Sequence, residues 1–123
     1  MSWLWVATGG ALGALGRWGL SNAVYGWLGR GFPWGTLAVN VIGSFLMGLL
    51  FYLFTERWMV PESLKPLLLV GGLGAFTTFS TFSIETLQLL HSGSWLMAAL
   101  NIVGSVVLCL VAVWLGSIVG RLS

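Results

Sequence analysis

Residues 71–85, which read GGLGAFTTFSTFSIE, decide the fold because they interrupt a long apolar run. This stretch contains three glycines, five hydroxyl side chains and three phenylalanines. Each glycine costs a helix about 1 kcal/mol relative to alanine. Serine and threonine hydroxyls also compete with the helix for its backbone hydrogen bonds. The pattern therefore predicts a helix that is interrupted near residues 74–80.

An interruption at membrane depth is tolerated only where the freed backbone groups line a cavity or bind a ligand. Freed carbonyls suit a cation, and freed N–H groups suit an anion. Phe79 and Phe82 are three residues apart and share a helix face, a spacing that ordinary packing also produces. Because ring edges carry partial positive charge, the same pair is also suited to contact a small anion.

The composition of the 123-residue chain indicates that its solvent is lipid. Hydrophobic residues make up 58% of the chain and charged residues only 7%, whereas a soluble domain carries about 25% charged residues. Five basic residues and three acidic ones are too few to form a nucleic-acid-binding face. The sequence therefore predicts a membrane protein with no nucleic-acid partner.

Four apolar segments are long enough to cross a membrane, which takes about 20 helical residues. They cover about residues 3–27, 34–55, 64–90 and 95–119, and together form a single transmembrane domain over residues 1–123. An even number of spans places both termini on one side. Three basic residues lie on that side and one or two on the other, a weak bias that permits insertion in both orientations and hence an antiparallel homodimer. A small bias also occurs in proteins with one fixed topology.

Three of the predicted spans carry a stripe of small or polar residues spaced four apart, which places each stripe on one helix face. The stripes are Gly9, Gly13 and Arg17; Asn40, Ser44 and Gly48; and Asn101, Ser105 and Cys109. Small residues let helix backbones approach closely. We therefore expect helix packing at five glycines, namely Gly9, Gly13, Gly48, Gly116 and Gly120.

Asn40 and Arg17 are the polar residues in these stripes that packing explains least well. An amide within a span has two donors and two acceptors to satisfy, so a functional role is favoured for Asn40. Arg17 is suited either to extend to the interface or to attract anions toward a vestibule.

The sequence contains no pattern that indicates an enzyme. There is no cluster of Cys and His at metal-ligand spacing and no GxSxG or HExxH motif. Three carboxylates offer little for a paired acid and base. The sequence predicts transport or passive conduction, not catalysis.

The block at residues 71–85, together with GGALGALGRW at 9–18 and GTLAVNVIGSFLMG at 35–48, resembles the Fluc (CrcB-type) fluoride channel family over essentially the whole chain. The resemblance implies an all-α membrane protein with four transmembrane helices, the third broken near its middle, assembled as an antiparallel dual-topology homodimer. It implies passive fluoride efflux across a bacterial inner or plasma membrane, which relieves fluoride toxicity.

The resemblance also implies the site residues. A structural Na⁺ at the dimer centre would be held by the main-chain carbonyls of Gly74 and Thr77. The fluoride pore would comprise Asn40, Phe79, Phe82, Ser80, Thr81, Ser105, Arg17 and Glu85. Such weak donors suit conduction, because an ion must also leave each site that it enters.

Two other functions compete with a fluoride channel. A small multidrug-type exporter, which exchanges protons for cations, needs a carboxylate in its first span, and residues 1–29 contain neither Asp nor Glu. A non-transporting membrane assembly protein would use the polar stripes only to join helices.

Overall fold

The computed structural model describes residues 2–54 and 65–122, and every secondary-structure element within these ranges is helical. The helices are α1 (Ser2–Leu28), α2 (Trp34–Tyr52), α3 (Pro66–Leu73), α4 (Gly74–Phe76), α5 (Phe79–His91) and α6 (Trp95–Leu122). The α3 helix has the wider turns of a π-helix. Thr55 and Leu64, two of the predicted span ends, lie outside the described residues.

The extended pair, Thr77 and Thr78, separates α4 from α5. Thr77 has φ −82° and ψ 156°, and Thr78 has φ −151° and ψ 120°, so both residues lie in the extended region. The Thr78 hydroxyl accepts a hydrogen bond from the Thr81 N–H at 3.2 Å and so caps the N-terminus of α5.

Glycines allow the helices to cross in backbone contact, as predicted for the small-residue stripes. A methyl group on Gly9 or Gly13 of α1 would overlap backbone carbonyls of Leu67 or Gly72. Packing of α2 against α6 depends in the same way on Gly48 of α2 and on two glycines of α6. These are Gly116, where a methyl would overlap the Phe45 carbonyl, and Gly120, where it would lie 3.1 Å from the Leu49 carbonyl. The prediction that these five glycines pack helices is confirmed.

The outer faces of the helices are aliphatic and exposed. Side chains such as Leu12 and Leu15 on α1 and Val103 and Leu110 on α6 are each more than 60% exposed. Within the described ranges, Trp34–Tyr52 and Trp95–Leu122 are long and apolar enough to cross a membrane by length and composition. Apolar patches of this extent mark a surface that contacts lipid or protein.

Candidate functional site

A groove of about 390 Å³ runs along α2, the extended pair, α5 and α6. Four of the predicted pore residues line it: Asn40, Phe79, Phe82 and Ser105. The other lining residues are Gly43, Ser44, Met47, Thr77, Thr78, Val106, Cys109, Leu110 and Val113. The groove therefore combines an amide, hydroxyls and two aromatic rings on an otherwise apolar wall.

Asn40 reaches from α2 to the backbone of the extended pair. Its Oδ1 accepts a hydrogen bond from the Thr78 N–H at 2.7 Å, and its Nδ2 donates to the Thr78 carbonyl at 3.0 Å. One Nδ2 proton remains after these two bonds. The predicted pore amide is thus tied to the extended pair and faces the groove as well.

Two N–H groups near the extended pair bond side chains. In a continuous helix they would instead donate to the carbonyls of Gly74 and Thr77. The Gly74 carbonyl would accept from the Thr78 N–H, which bonds Asn40 instead. The Thr77 carbonyl would accept from the Thr81 N–H, which bonds the Thr78 hydroxyl instead. For both carbonyls predicted to hold Na⁺, the helical donor therefore bonds a side chain instead.

Arg17 contacts the same region from α1. Its Nε donates to the Ala75 carbonyl at 3.1 Å. A guanidinium near the C-terminal end of a helix also interacts favourably with the helix dipole. Arg17 is half-buried against the end of α4 and lies outside the groove lining.

The two aromatic rings lie at the entrance of α5. The ring centroids of Phe79 and Phe82 are 5.4 Å apart, and the ring planes are tilted by 42°. Phe79 is 76% exposed, whereas Phe82 is half-buried. A tilted pair presents ring edges as well as faces, and the edges carry the partial positive charge that an anion requires.

Ser80 and Thr81 belong to the hydroxyl cluster at the start of α5. The Thr78 hydroxyl lies 3.4 Å from the Ser80 hydroxyl and donates to the Thr81 hydroxyl at 3.1 Å. Ser80 is exposed. In the part of the chain that the structure describes, neither Ser80 nor Thr81 lines the groove.

A buried chain of three side chains, the α5–α6 network, lies behind the groove. The Ser105 hydroxyl donates to Asn101 Oδ1 at 3.2 Å, and Asn101 Nδ2 donates to the Thr86 hydroxyl at 2.8 Å. Thr86 in turn donates to the Phe82 carbonyl at 2.7 Å. The only proton of Ser105 is used inside the protein, so Ser105 presents acceptor lone pairs to the groove. Sequence reasoning missed Thr86.

Glu85 lies in a separate glutamate cluster with Tyr25 and Thr36. Tyr25 donates to Glu85 Oε2 at 2.6 Å, and Thr36 donates to Oε1. Arg30 stacks 4.6 Å from the centre of the Tyr25 ring. The cluster borders a second pocket of about 360 Å³, so the structure does not bring Glu85 to the groove lined by Asn40. Nothing in the sequence spacing singled out Tyr25 or Thr36.

Helices throughout the described residues, aliphatic outer faces and a partly polar groove are the features of a helical membrane protein. Residues 4–117 match the family described as "CrcB-like protein, Camphor Resistance (CrcB)". The chain belongs to this CrcB-like family, and the predicted resemblance is confirmed.

Curated relatives are similar along most of the chain, and three of them carry the name "Fluoride-specific ion channel FluC". The protein from Magnetococcus marinus is 72% identical over 118 residues, which cover 96% of each chain. The protein from Methylococcus capsulatus is 57% identical over 116 residues, covering 94% of this chain and 51% of the relative. The protein from Opitutus terrae is 52% identical over 118 residues, covering 94% and 89%.

Proposed function

We infer that the chain is a fluoride-selective ion channel of a bacterial membrane, which lets fluoride leave the cell passively. The observation that carries this conclusion is the 72% identity, over 96% of both chains, with a relative named as a fluoride-specific ion channel. The chain is accordingly a conducting protein and not an enzyme. Relief of fluoride toxicity is the physiological role that follows from efflux.

The groove has the chemistry that passage of a small anion requires. The lining includes no charged side chain among the residues described. A full positive charge beside the path would hold the anion too strongly, whereas several weak sites allow it to enter and leave. The remaining Nδ2 proton of Asn40 and the ring edges of Phe79 and Phe82 supply such weak sites. Ser80 and Thr81 add hydroxyls at the start of α5.

The third membrane crossing is, in this proposal, one interrupted span formed by α3, α4 and α5. With α1, α2 and α6 it makes the four spans of a single transmembrane domain. We further propose an antiparallel dual-topology homodimer. The 76% exposure of Phe79 supports it, because a second copy would cover this ring and close the open side of the groove.

A structural Na⁺ at the dimer centre fits the residues present. The Gly74 and Thr77 carbonyls have lost their usual helical donors, and oxygen atoms are the ligands that hard cations prefer. Two such carbonyls from each of two copies would give four oxygen ligands. When bound, the cation would raise the local potential felt by fluoride without contacting every anion on the path.

Arg17 and Glu85 act at a distance from the groove in this proposal. Arg17 adds positive charge beside the end of α4, where it favours anions in the surroundings. Glu85 stays bonded to Tyr25 and Thr36, with Arg30 nearby to offset its charge.

Efflux from liposomes tests the function and separates the competing ones. Purified protein in vesicles loaded with potassium fluoride should release fluoride rapidly once valinomycin balances the charge, and should scarcely release chloride. A cation/proton exporter would instead require a proton gradient, and an assembly protein would release neither anion. Absence of fluoride release from correctly folded protein would overturn the channel assignment.

A further inference from the structure

We propose that Asn40 is a positioning residue that holds the extended pair in place and so keeps the Gly74 and Thr77 carbonyls available to a cation. This inference rests on the proposed function for the use of those carbonyls. The role of Asn40 in shaping the backbone stands on the hydrogen bonds alone. Asn40 would then shape the proposed cation site in addition to lining the groove.

Both backbone groups of Thr78 are bonded by one side chain, as they would be by a neighbouring strand. The N–H is 2.7 Å from Oδ1 and the carbonyl oxygen is 3.0 Å from Nδ2. In a β-ladder a residue pair exchanges the same two bonds. A helical Thr78 would have to give up the bond from its N–H to Asn40 and return that N–H to Gly74.

Asparagine carries the amide group that this contact requires. The contact needs a donor and an acceptor side by side on one planar group. Aspartate supplies only acceptors when ionised, and serine supplies a single hydroxyl. The amide is also fixed on α2, whose backbone does not depend on the extended pair.

Gly43, one turn after Asn40, provides an independent observation on the same face of α2. A methyl group on Gly43 would overlap the Thr77 methyl and lie 3.1 Å from the Phe76 ring. The missing side chain therefore makes room for the extended pair to approach α2. Asn40 and Gly43 together form a cradle: one bonds the backbone of Thr78 and the other admits the side chain of Thr77.

Arg17, from α1, bonds a further carbonyl in this region. It donates to the Ala75 carbonyl at 3.1 Å, and Ala75 lies between Gly74 and Thr77 in the chain. Side chains from α1 and α2 thus satisfy particular backbone groups at the end of α4. Gly74 and Thr77 have both lost the N–H group that their carbonyls would receive in a helix, so these carbonyls are the ones that a cation would satisfy in this proposal.

Hydrogen exchange at the Thr78 amide tests this role in full-length protein reconstituted in lipid. We expect Asn40→Ala to speed exchange of the Thr78 N–H at least tenfold. The matched control is Asn22→Ala, the same chemical change at an exposed asparagine on α1, which should leave that exchange rate unchanged. Unchanged protection of Thr78 in Asn40→Ala would overturn the proposal.

Sodium-dependent stability provides the second measurement, with NaCl compared against KCl. Because a bound ligand stabilises the state that binds it, Tm of the wild type should rise with Na⁺, and Asn40→Ala should lose the rise. Asn40→Asp keeps an acceptor for the Thr78 N–H but sets a carboxylate against the Thr78 carbonyl. It should keep the exchange protection and retain at least part of the Na⁺-dependent rise in Tm, whereas a full rise in Asn40→Ala would overturn the proposal.

Fluoride efflux measured in parallel distinguishes the two levels of inference. If wild-type protein fails to conduct fluoride, the channel assignment fails. The exchange result at Thr78 still decides whether Asn40 holds the extended pair.

Discussion

Several polar side chains near the groove are bonded within the protein before any ion arrives. Asn40 is bonded to both backbone groups of Thr78, and Ser105 gives its proton to Asn101. At the residue scale, this leaves one Asn40 proton, the Ser44 hydroxyl and the edges of two aromatic rings as positive groups facing the groove. Fluoride would therefore depend on the phenylalanines more than the number of hydroxyls suggests.

Phe82→Ile should lower fluoride efflux from liposomes at least tenfold, because an aliphatic side chain has no positively polarised edge. Half-burial of Phe82 allows isoleucine to fill much of its volume, so the fold should persist. Phe51→Ile, at an exposed position of α2 outside the groove, is the matched control. Efflux equal to that of the wild type would remove the aromatic role of Phe82.

Asn101→Leu should destabilise the protein by about 1–3 kcal/mol, because Asn101 is only 2% exposed and the Ser105 hydroxyl would lose its acceptor inside the protein. Thermal unfolding in a mild detergent measures the loss. Adding Ser105→Ala should recover part of it, since the donor left without a partner is then absent. A double variant no more stable than Asn101→Leu would contradict the importance of that bond.

At the scale of helices, the sequence indicated which faces meet but not how the polar residues pair. Glycine spacing is enough to predict close helix contacts, because small residues at a helix crossing let the two backbones approach. Glu85 shows the opposite case. Its partners Tyr25 and Thr36 lie 60 and 49 residues away, and only the tertiary fold brings them together. The same holds for Thr86, which looks like any polar residue on α5 until Asn101 reaches it.

Gly13→Ala should destabilise the crossing of α1 with α3 and α4 by about 1–3 kcal/mol through overpacking. The added methyl would overlap the Gly72 carbonyl and lie 3.1 Å from the Phe76 nitrogen. Gly10→Ala is the control on the same helix, since no atom lies within 4 Å of its added methyl. Thermal unfolding of both variants should rank Gly13→Ala well below Gly10→Ala, and equal values would contradict the close crossing.

At the scale of the whole molecule, composition and span lengths were sufficient to predict an all-helical membrane protein. They were not sufficient to select the ion, because amides, hydroxyls and ring edges suit any small anion. The family relationship supplies that step. The groove also stays open along the exposed ring of Phe79, the side that the proposed second copy would cover.

Labelling from one side of the membrane tests the proposed dual topology. Ser92→Cys in a Cys109→Ser background places one exposed thiol in the turn between α5 and α6. An impermeant maleimide added to sealed cells should label about half of the protein, because the two copies of an antiparallel dimer face opposite ways. Complete labelling or complete protection would indicate a single orientation.

The order of synthesis also matters for the bonds that hold the extended pair. The chain leaves the ribosome N-terminus first, and both side chains that reach this region from other helices, Arg17 and Asn40, precede it in the sequence. When residues 74–78 enter the bilayer, the side chains that bond the Ala75 carbonyl and both backbone groups of Thr78 have already been synthesised. These bonds therefore do not wait for α6.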